Sequence, residues 1–433
     1  MVGIWASVIE RGDKISSSLE TYLVGGSVRD ELLHLPAKDY DYVVVGSTPE
    51  EMEKLGYRSV GKDFPVYLHP KSHDEYALAR TERKVAHGYR GFKIHAAPQV
   101  TLEEDLARRD LTINAIARDK NGKIIDPFNG IEDLKAGLLR HVSPAFSEDP
   151  VRVLRTARFS ARFGFRVAPE TLKLMSDMVS NGEIDYLVPE RVWQEISRGL
   201  MENKPSRLFS VLRDCGALAQ VMPEMEVLFG IPQLEKWHPE IDTGEHIMQV
   251  IDYAATKNYS LSVRFALLTH DLGKGVTPKN LWPSHSGHEE HSVRLIKDLC
   301  GRIRVPKSSR DLAILVARFH GNVHRIAELD PITIVDILSA VDAYRKPKRF
   351  QEFIHACECD FHVRSGYIDK TYLQAEWLLE AFNVTNKVDC GAIAASLVRI
   401  VSDPARLSNS INIKIREARI EEVKDYVMRS SIS

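Results

Sequence analysis

The stretch GGSVRDELLHLPAKDYDYVVV at residues 25–45 contains two carboxylates, Asp39 and Asp41, at the start of a predicted strand. The run Tyr40–Val45 is rich in β-branched and aromatic residues and follows a turn region at Pro36, which favours a strand. Side chains two positions apart on a strand share a face, roughly 7 Å apart, so the two carboxylates should project together. Such a pair suits Mg²⁺, which completes its octahedron with water and substrate phosphates.

A glycine pair lies at the end of the preceding predicted strand. The short apolar run Tyr22–Val24 is followed directly by Gly25 and Gly26. Two glycines let backbone N–H groups approach phosphate oxygens, and the next helix would direct its N-terminus at them. Either feature alone usually marks a turn or a solvated strand face. Together, and with Arg29 and Asp30 at fixed offsets, they predict a site for a nucleoside triphosphate and its metal.

A second motif, RRDLTINA, occupies residues 108–115. Arg109 carries a guanidinium that can bind phosphate through two parallel hydrogen bonds and stays charged at any working pH. Asp110 and Asn114 are four residues apart and would share one face of a helix. The alternative is an amphipathic helix with a polar surface turn. Asp110 could orient Arg109 or support the metals, and the sequence alone leaves both roles open.

A third motif, EDPVRVLRTARF at residues 148–159, places three arginines on one side of a predicted helix. Arg152, Arg155 and Arg158 are spaced by three residues and fall within about 120° of arc. Three neighbouring guanidiniums repel one another unless an anion binds there. We therefore expect Arg155 and Arg158 to contact a triphosphate.

Asp149 and Arg152 can distinguish bases. A carboxylate accepts from the exocyclic amine of cytosine or adenine, and an arginine donates to the adjacent ring nitrogen. Guanine and uracil carry a carbonyl in the place of that amine, so the pair would select C and A without a template. The competing interpretation is an N-cap, because Asp149 precedes Pro150 at the start of the helix.

The strands and these three motifs resemble the bacterial CCA-adding tRNA nucleotidyltransferases that carry an HD domain. The resemblance runs from about residue 21 to past 400. It implies that Asp39 and Asp41 are catalytic and hold Mg²⁺ in a polymerase-like palm. It also implies that the chain adds C, C and A to tRNA 3′ ends from CTP and ATP. The nucleotide-binding residues that it implies are Gly26, Arg29, Arg109, Asp149, Arg152, Arg155 and Arg158.

Histidines are concentrated in the next part of the chain: eight of the sixteen lie between residues 238 and 324. His246 precedes the dipeptide His270-Asp271, and Asp342 follows at a distance, a pattern that resembles the HD phosphohydrolase superfamily. The resemblance implies that these four residues bind a divalent metal, with His270 and Asp271 catalytic. Imidazole and carboxylate ligands suit Ni²⁺ or a similar transition metal rather than Mg²⁺. Such a metal would activate water against phosphoesters, including 2′,3′-cyclic phosphates.

Composition limits the class of protein. The chain has 433 residues, of which 44% are hydrophobic and 27% charged, with a net charge of −2. This length predicts about three domains, and the charge excludes a global field that would attract nucleic acid. Five cysteines without clear metal-ligand spacing favour reduced thiols, and the N-terminus is unlike a signal peptide. We therefore expect a cytoplasmic protein with no membrane span, either a monomer or a weak homo-oligomer.

The predicted fold class is α+β: a small polymerase-like palm with a mixed sheet and helices, followed by an all-helical neck, body and HD domain. Phe64–Leu68 and Glu75–Arg80 are further predicted strands, a loop is expected at 84–92, and no strand is expected beyond 145. The predicted domains are an N-terminal extension at 1–20, a head at 21–140, a neck and body at 141–225, an HD domain at 226–345 and a tail at 346–433.

The expected partners are tRNA, bound at its acceptor stem and elbow, and the substrates ATP and CTP. Three other functions remain open at this point. A poly(A) polymerase would share the head motifs, although the mixed charge of the C-terminal tail is against it. The others are a phosphohydrolase with an inactive head and a tRNA-binding protein without activity.

Overall fold

The computed structural model describes residues 19–37, 39–60, 66–84, 92–234, 242–364, 367, 369–401 and 403–430. The predicted extension at 1–20 and the predicted loop at 84–92 lie almost entirely outside these residues. The chain divides into two compact units, residues 1–199 with 207–221 and residues 200–206 with 222–433. The finer domain boundaries stay predictions.

Eleven strands are described, all in the first unit. They are β1 (Glu20–Val24), β2 (Asp41–Val45), β3 (Arg58–Val60), β4 (Val66–Leu68), β5 (Glu75–Leu78), β6 (Arg80–Lys84), β7 (Phe92–Ala96), β8 (Ala117–Arg118), β9 (Ile124–Ile125), β10 (Leu138–Leu139) and β11 (Arg166–Val167). Seven form one sheet in the order β3-β4-β5-β2-β1-β8-β9. Strand β2 is parallel to β5 and antiparallel to β1, so the predicted mixed sheet is confirmed.

Two small differences from the prediction concern strands. The segment predicted as one strand over Glu75–Arg80 is divided at Ala79, where β5 ends and the β6–β7 hairpin begins. Strand β11 lies beyond residue 145 and pairs in parallel with β10. It has two residues, which is too short to produce an alternating hydrophobic pattern that could be found in the sequence.

Strand β2 separates two hydrophobic clusters. Val44 packs with Leu19, Met52 and Tyr76 on one face of the sheet. Val43 packs with residues of the opposite face, including Leu106, which closely precedes the RRDLTINA motif. Because side chains alternate along a strand, Asp41 lies on the face of Val43. The packing of β2 thus turns Asp41 towards the side of the sheet that carries this motif.

Helices complete the first unit. They are α1 (Gly26–Leu32), α2 (Pro49–Lys54), α3 (Leu102–Ala107), α4 (Gly130–Ala136), α5 (Val151–Phe163), α6 (Pro169–Ser180), α7 (Pro189–Leu200), α8 (Ser206–Asp214) and α9 (Ala217–Val221). Helix α5 carries the predicted arginine stripe. Its other side buries Val153, Leu154 and Ala157, as the spacing predicts, and it ends at Gly164, whose positive φ forms a left-handed C-cap.

The described part of the second unit is helical, as predicted. Its helices are α10 (Pro223–Glu226), α11 (Thr243–Thr256), α12 (Leu261–Thr269), α13 (His288–Arg302), α14 (Lys307–His324), α15 (Pro331–Ala340), α16 (Pro347–His362), α17 (Leu373–Thr385), α18 (Cys390–Val398) and α19 (Pro404–Ser430). Helix α12 contacts α11, α14 and α16, and its core residues Phe265 and Leu268 are fully buried. His270 and Asp271 follow directly, so they lie among the same helices. Within the described part of the chain, every helix is too short or too polar to span a bilayer.

Candidate functional site

Carboxylates converge where β1, β2 and β5 lie side by side. Asp41 at the start of β2 is opposite Val24 on one side and Glu75 on the other. Burial raises the pKa of Asp41, and the negative charges of Glu75 and Asp39 raise it further. The positive charge of Arg109 lowers it but does not outweigh these effects. A bound cation would relieve this repulsion, so the carboxylates fit Mg²⁺. Sequence reasoning missed Glu75, although its place at the start of a predicted strand was a usable signal.

Gly25 follows Val24 and has a left-handed φ of 71°, and its N–H donates to the carbonyl of Ile116 at 3.2 Å. A Cβ atom at this position would lie 2.9 Å from Nη1 of Arg109. Position 25 therefore requires glycine for two reasons. Its backbone φ is positive, and a side chain there would collide with Arg109, which we expect to bind phosphate.

We expect Gly25→Ala to raise KM for CTP and ATP about tenfold, because displacing Arg109 weakens a charge-assisted hydrogen bond of about 1.5 kcal/mol. Gly46→Ala is the matched control, since Gly46 has a φ of 72° but no atom within 4 Å of the added Cβ. Both variants carry the same backbone strain. Steady-state kinetics should therefore show a raised KM in the first variant only, and an equal rise in both would contradict the contact argument.

Arg29 is buried and held by two partners. Its Nε and Nη2 atoms donate to Oδ1 of Asp30 at 2.9 and 2.7 Å, and its Nη1 donates to the side-chain oxygen of Asn114. Arg162 donates to the other oxygen of Asp30 at 2.8 Å. The guanidinium also lies 5.1 Å from the ring centre of Phe159. Both carboxylate oxygens of Asp30 accept from an arginine, so Asp30 is held in place. Asp30 in turn fixes Arg29 at the wall of the cavity described below.

Asp105, and not Asp110, orients Arg109. Nη2 of Arg109 lies 3.2 Å from Oδ2 of Asp105, and its Nη1 donates to the backbone carbonyl of Asn114. Asp105 is fully buried, and it also binds Arg108 at 2.7 Å. Asp105 lies on α3, four residues before Arg109 in the sequence. This spacing is typical of ion pairs along a helix and could have predicted the contact from the sequence.

Asp110 holds Arg155 instead. Its Oδ2 accepts from Nε of Arg155 at 2.8 Å, and its Oδ1 accepts from the side-chain amide of Asn114 at 2.9 Å. Burial would raise the pKa of Asp110, but the charge of Arg155 and the bond from Asn114 outweigh it and lower the pKa. Both oxygens are thus engaged within the protein. This corrects one of the two predicted roles of Asp110, since it orients Arg155 while Asp105 orients Arg109.

The two remaining arginines of the α5 stripe are anchored as well. Nη1 and Nη2 of Arg152 donate to the carbonyls of Ala145 and Arg108 at 2.7 and 2.6 Å. Nε of Arg158 donates to Glu195 of α7 at 2.5 Å. The repulsion that the stripe predicted is therefore relieved partly by protein carboxylates, and these side chains are fixed before any anion binds.

Asp149 makes the bond expected of a helix cap and also lines the cavity described below. Its Oδ1 accepts from the backbone N–H of Val151 at 3.1 Å, as a cap would. The two nitrogens of Arg191 donate to its two oxygens at 3.0 and 2.7 Å. Arg191 comes from the start of α7, which the sequence marked only as a helix start, so its role was missed.

These residues surround one cavity of about 500 Å³ in the first unit. Nine arginines line it together with three aspartates, two glycines, an asparagine and a phenylalanine: Gly25, Gly26, Arg29, Asp41, Arg108, Arg109, Asp110, Asn114, Asp149, Arg152, Arg155, Arg158, Phe159, Arg162, Arg191 and Arg198. This excess of positive charge suits a polyanionic ligand of nucleotide size. Every residue that we predicted to bind nucleotide lies on this wall, as does Asp41.

In the second unit, His246, His270 and Asp360 form one group of possible metal ligands, and His270, Asp271 and His320 form another. All five are buried. Nε2 of His246 is 2.7 Å from Oδ1 of Asp360, and Nε2 of His270 is 3.8 Å from the same oxygen. The structure therefore brings together three of the four predicted ligands, His246, His270 and Asp271.

Asp342 does not lie in this cluster. Its carboxylate is bound by Arg345 at 2.6 Å, with Lys346 and Arg349 nearby, and its backbone φ is 58° just beyond the end of α15. Asp360, from the buried face of α16, is the carboxylate that faces His246. The predicted ligand set is corrected accordingly, with Asp360 in place of Asp342.

The cluster fits a metal ion. Nδ1 of His270 is 2.7 Å from the carbonyl of Leu267, which sets the tautomer that leaves Nε2 with a free lone pair. Nε2 of His270 and Oδ1 of Asp271 are both buried and have no hydrogen-bond partner among the described residues. Burial would raise the pKa of Asp271, but its neighbours, among them the ammonium of Lys274 at 2.7 Å, hold it well below its usual range. A buried imidazole lone pair beside ionised carboxylates is the donor set of a transition metal.

Family profiles match three parts of the chain. They are described as Poly A polymerase head domain over residues 21–140, Probable RNA and SrmB- binding site of polymerase A over 164–229, and HD domain over 243–345. The first contains Asp39, Asp41 and Glu75 and three of the nine cavity arginines, Arg29, Arg108 and Arg109. The third contains His246, His270, Asp271 and His320 but ends before Asp360.

Solved structures of about 20% identity share the fold. A CCA-adding enzyme in complex with CTP has a TM-score of 0.63 and is 20% identical, and the match covers 100% of this chain and 97% of the other. The CCA-adding enzyme of Thermotoga maritima, complexed with tRNA, has a TM-score of 0.60 at 20% identity, with 99% and 96% coverage. At this identity the likeness establishes the fold alone.

A curated relative is far closer in sequence. The multifunctional CCA protein of Nitrosospira multiformis is 66% identical over 407 residues, which cover 94% of this chain and 98% of the relative. Taken with the shared fold and the two sites, this identity shows that the chain belongs to the family of multifunctional CCA proteins.

Proposed function

We propose that the first unit adds C, C and A to the 3′ end of tRNA from CTP and ATP and releases pyrophosphate. The observation that carries the proposal is the cavity: Asp41 and a glycine turn lie on the same wall as nine arginines and a pair that can read a base. The name of the relative and the CTP and tRNA complexes of the solved neighbours support these substrates.

The residues divide the chemistry as follows. Mg²⁺ held by Asp39 and Asp41 would lower the barrier to attack by the tRNA 3′-hydroxyl and stabilise the leaving pyrophosphate. Arg109 and Arg155, each oriented by a buried carboxylate, would bind the triphosphate oxygens. Because Asp105 and Asp110 fix these guanidiniums in advance, little side-chain freedom would be lost when the nucleotide binds.

Asp149 and Arg152 would select the base. Oδ1 of Asp149 accepts from Arg191 and from the N–H of Val151, whereas Oδ2 accepts from Arg191 and has a second lone pair for the amine of cytosine or adenine. The terminal nitrogens of Arg152 donate to the carbonyls of Ala145 and Arg108, which fixes its guanidinium at the cavity. Both side chains are thus held in place on the wall of the cavity.

We expect Asp149→Ala to reduce discrimination of CTP and ATP against UTP and GTP more than it slows transfer. A good base contact contributes about 1–3 kcal/mol of discrimination, so the ratio of kcat/KM values should fall roughly tenfold to hundredfold. Competition assays with all four nucleotides would measure the ratio.

Asp330→Ala provides the control, because Asp330 caps α15 in the second unit through the N–H of Thr333. It removes an N-cap of about 1 kcal/mol without touching the cavity. If Asp149→Ala loses stability as Asp330→Ala does and keeps its base selection, Asp149 is only a cap.

The product of the reaction decides between this function and its rivals. The purified chain would be incubated with tRNA lacking CCA, all four nucleotides and Mg²⁺, and the 3′ ends would then be sequenced. We expect tails that stop at CCA. Continued addition of A would identify a poly(A) polymerase, and no addition would leave a phosphohydrolase or a tRNA-binding protein.

We propose that the second unit is a metal-dependent phosphohydrolase that removes phosphates, including 2′,3′-cyclic ones, from RNA ends. The buried cluster of His246, His270, Asp271 and Asp360 supports this activity, and Ni²⁺ or a similar transition metal suits its imidazole ligands. Bound there, the metal would activate water. His270 and Asp271 would position it, and Lys274, at 2.7 Å from Asp271, would keep the carboxylate ionised.

A further inference from the structure

We infer that Arg198 binds the terminal phosphate of the incoming CTP or ATP and so makes the cavity select triphosphates over diphosphates. The inference rests on the proposed addition of nucleotides to tRNA. It adds to that function a residue that lies outside all three sequence motifs. It starts from a difference among the nine arginines that line the cavity of the first unit.

Eight of the nine cavity arginines are committed to acceptors within the protein. Seven donate to an aspartate or glutamate side chain, and Arg152 donates to two backbone carbonyls. All eight are buried or half-buried. Arg198 is the ninth: it is exposed, and it has no hydrogen-bond or ion-pair partner among the described residues. Within that part of the chain, its guanidinium alone is uncommitted before a ligand binds.

Helix α7 directs Arg198 towards the same cavity as its neighbours. Arg191, Glu195 and Arg198 are spaced by four and three residues, so they share one face of the helix. Arg191 and Arg198 line the cavity, and the buried Glu195 accepts from Nε of Arg158 at 2.5 Å. Arg198 therefore lies one turn beyond the carboxylate that holds an arginine predicted to bind the triphosphate.

The contacts between α5 and α7 indicate which end of the nucleotide Arg198 meets. Asp149, which would read the base, is bound by Arg191 near the start of α7. Further along both helices, Arg158 is bound by Glu195. The two helices therefore lead away from the base-reading residue in the same direction. Arg198 lies seven residues after Arg191, or about 10 Å at 1.5 Å per residue. A nucleotide whose base contacts Asp149 would extend its phosphates this way.

The reaction treats the three phosphates differently. The 3′-oxygen of the RNA bonds to the α-phosphorus, and the bond from that phosphorus to the β-bridging oxygen breaks. The β- and γ-phosphates then leave together as pyrophosphate. Arg155 and Arg158, each held by a carboxylate, suit phosphates that must stay aligned during attack. An exposed arginine without a protein partner suits the terminal phosphate, because its side chain can follow the pyrophosphate towards solvent.

Two other roles are compatible with an exposed arginine at this position. Arg198 lies in the last turn of α7, where a positive charge stabilises the carbonyl end of a helix. It also lies in the region that matches the RNA-binding profile, so it could contact a phosphate of the acceptor RNA. The first role would affect stability but no ligand. The second would affect tRNA binding but not the difference between CTP and CDP.

The test compares two ligands that differ by one phosphate. The full-length wild type and Arg198→Gln would be titrated calorimetrically with CTP and with CDP, with Mg²⁺ as the only metal and no RNA present. We expect Arg198→Gln to raise the Kd of CTP about tenfold, the effect of losing one hydrogen bond between charged groups. The Kd of CDP should stay within about twofold of wild type, because CDP lacks the phosphate that Arg198 would bind.

Arg58→Gln is the matched control. Arg58 is an exposed arginine of β3 in the same unit, and it does not line the cavity. The control loses the same charge, and both of its Kd values should equal those of wild type. The assignment is overturned if Arg198→Gln weakens CTP and CDP equally, if it binds CTP as wild type does, or if Arg58→Gln weakens CTP to the same extent. A raised Kd for tRNA with unchanged binding of CTP would also overturn it and would identify an RNA contact.

The wild-type protein separates this inference from the function on which it rests. If wild type extends tRNA to CCA while Arg198→Gln retains the wild-type preference for CTP over CDP, the inference fails and the proposed function stands. If wild type binds neither CTP nor ATP and extends no tRNA, both fail.

Discussion

Replacement of Asp41 by alanine should lower nucleotide addition by about 10³-fold or more, while the phosphohydrolase activity of the second unit persists. Asp41 lies beside Glu75 and Asp39 at the start of β2, and burial together with these like charges, which a cation would neutralise, raises the pKa of its carboxyl. Losing one ligand would remove several kcal/mol of transition-state stabilisation, and about 4 kcal/mol corresponds to this factor. Single-turnover incorporation of labelled CTP into tRNA lacking CCA would measure it.

The matched control is Asp214→Ala, which removes an exposed aspartate at the end of α8 in the same unit. We expect wild-type incorporation from this variant. The two-site interpretation fails if Asp41→Ala also abolishes phosphate release from a 2′,3′-cyclic substrate, or if it incorporates CTP at the wild-type rate.

Replacement of His270 by alanine should have the opposite effect. Nε2 of His270 is a candidate ligand in both groups of the cluster, and its Nδ1 bond to Leu267 fixes the ring for that purpose. Its removal should lower phosphohydrolase activity about 10³-fold, because a metal site that loses a ligand no longer activates water efficiently. Incorporation of CTP and ATP should remain within about twofold of wild type, within the rate change that about 0.4 kcal/mol would cause.

His355→Ala is the control for the loss of an imidazole. His355 lies on α16 but outside the cluster, where it stacks on Tyr259 with ring centres 4.4 Å apart. Both activities should survive this change. Hydrolysis of 2′,3′-cyclic AMP and incorporation of CTP would be measured on the same preparations. The prediction is contradicted if His270→Ala loses both activities or loses neither.

Local patterns in the sequence predicted the head well. The alternation along β2 and the arginine spacing on α5 are short-range regularities, so the strand face and the helix stripe could be derived from a few neighbouring residues. The partners of those residues could not. The bond between Asp110 and Asn114 joins residues four positions apart, which the sequence shows directly. The bond between Asp110 and Arg155 depends on how α5 packs against the motif, which the sequence does not show.

The fourth candidate ligand of the cluster shows the same limit at longer range. Asp342 and Asp360 are both acidic residues downstream of His270, and their separation in sequence does not reveal which one the helices bring close. Asp342 turned out to be satisfied locally by Arg345. A signal for Asp360 did exist, because this residue lies between Cys359 and Phe361, and all three are buried. A carboxylate buried among apolar residues must have a cationic or metal partner.

Helix α7 holds two of the side chains that line the cavity. Arg191 grips Asp149 and Glu195 grips Arg158, so two side chains from one face of this helix determine how two cavity residues are presented. A genetic selection for enzymes that write an altered 3′ end should therefore recover substitutions in residues 189–200 as well as in the cavity itself. The accuracy of base selection would then depend partly on α7, which holds Asp149 and Arg158 in place and also contributes Arg191 and Arg198 to the cavity wall.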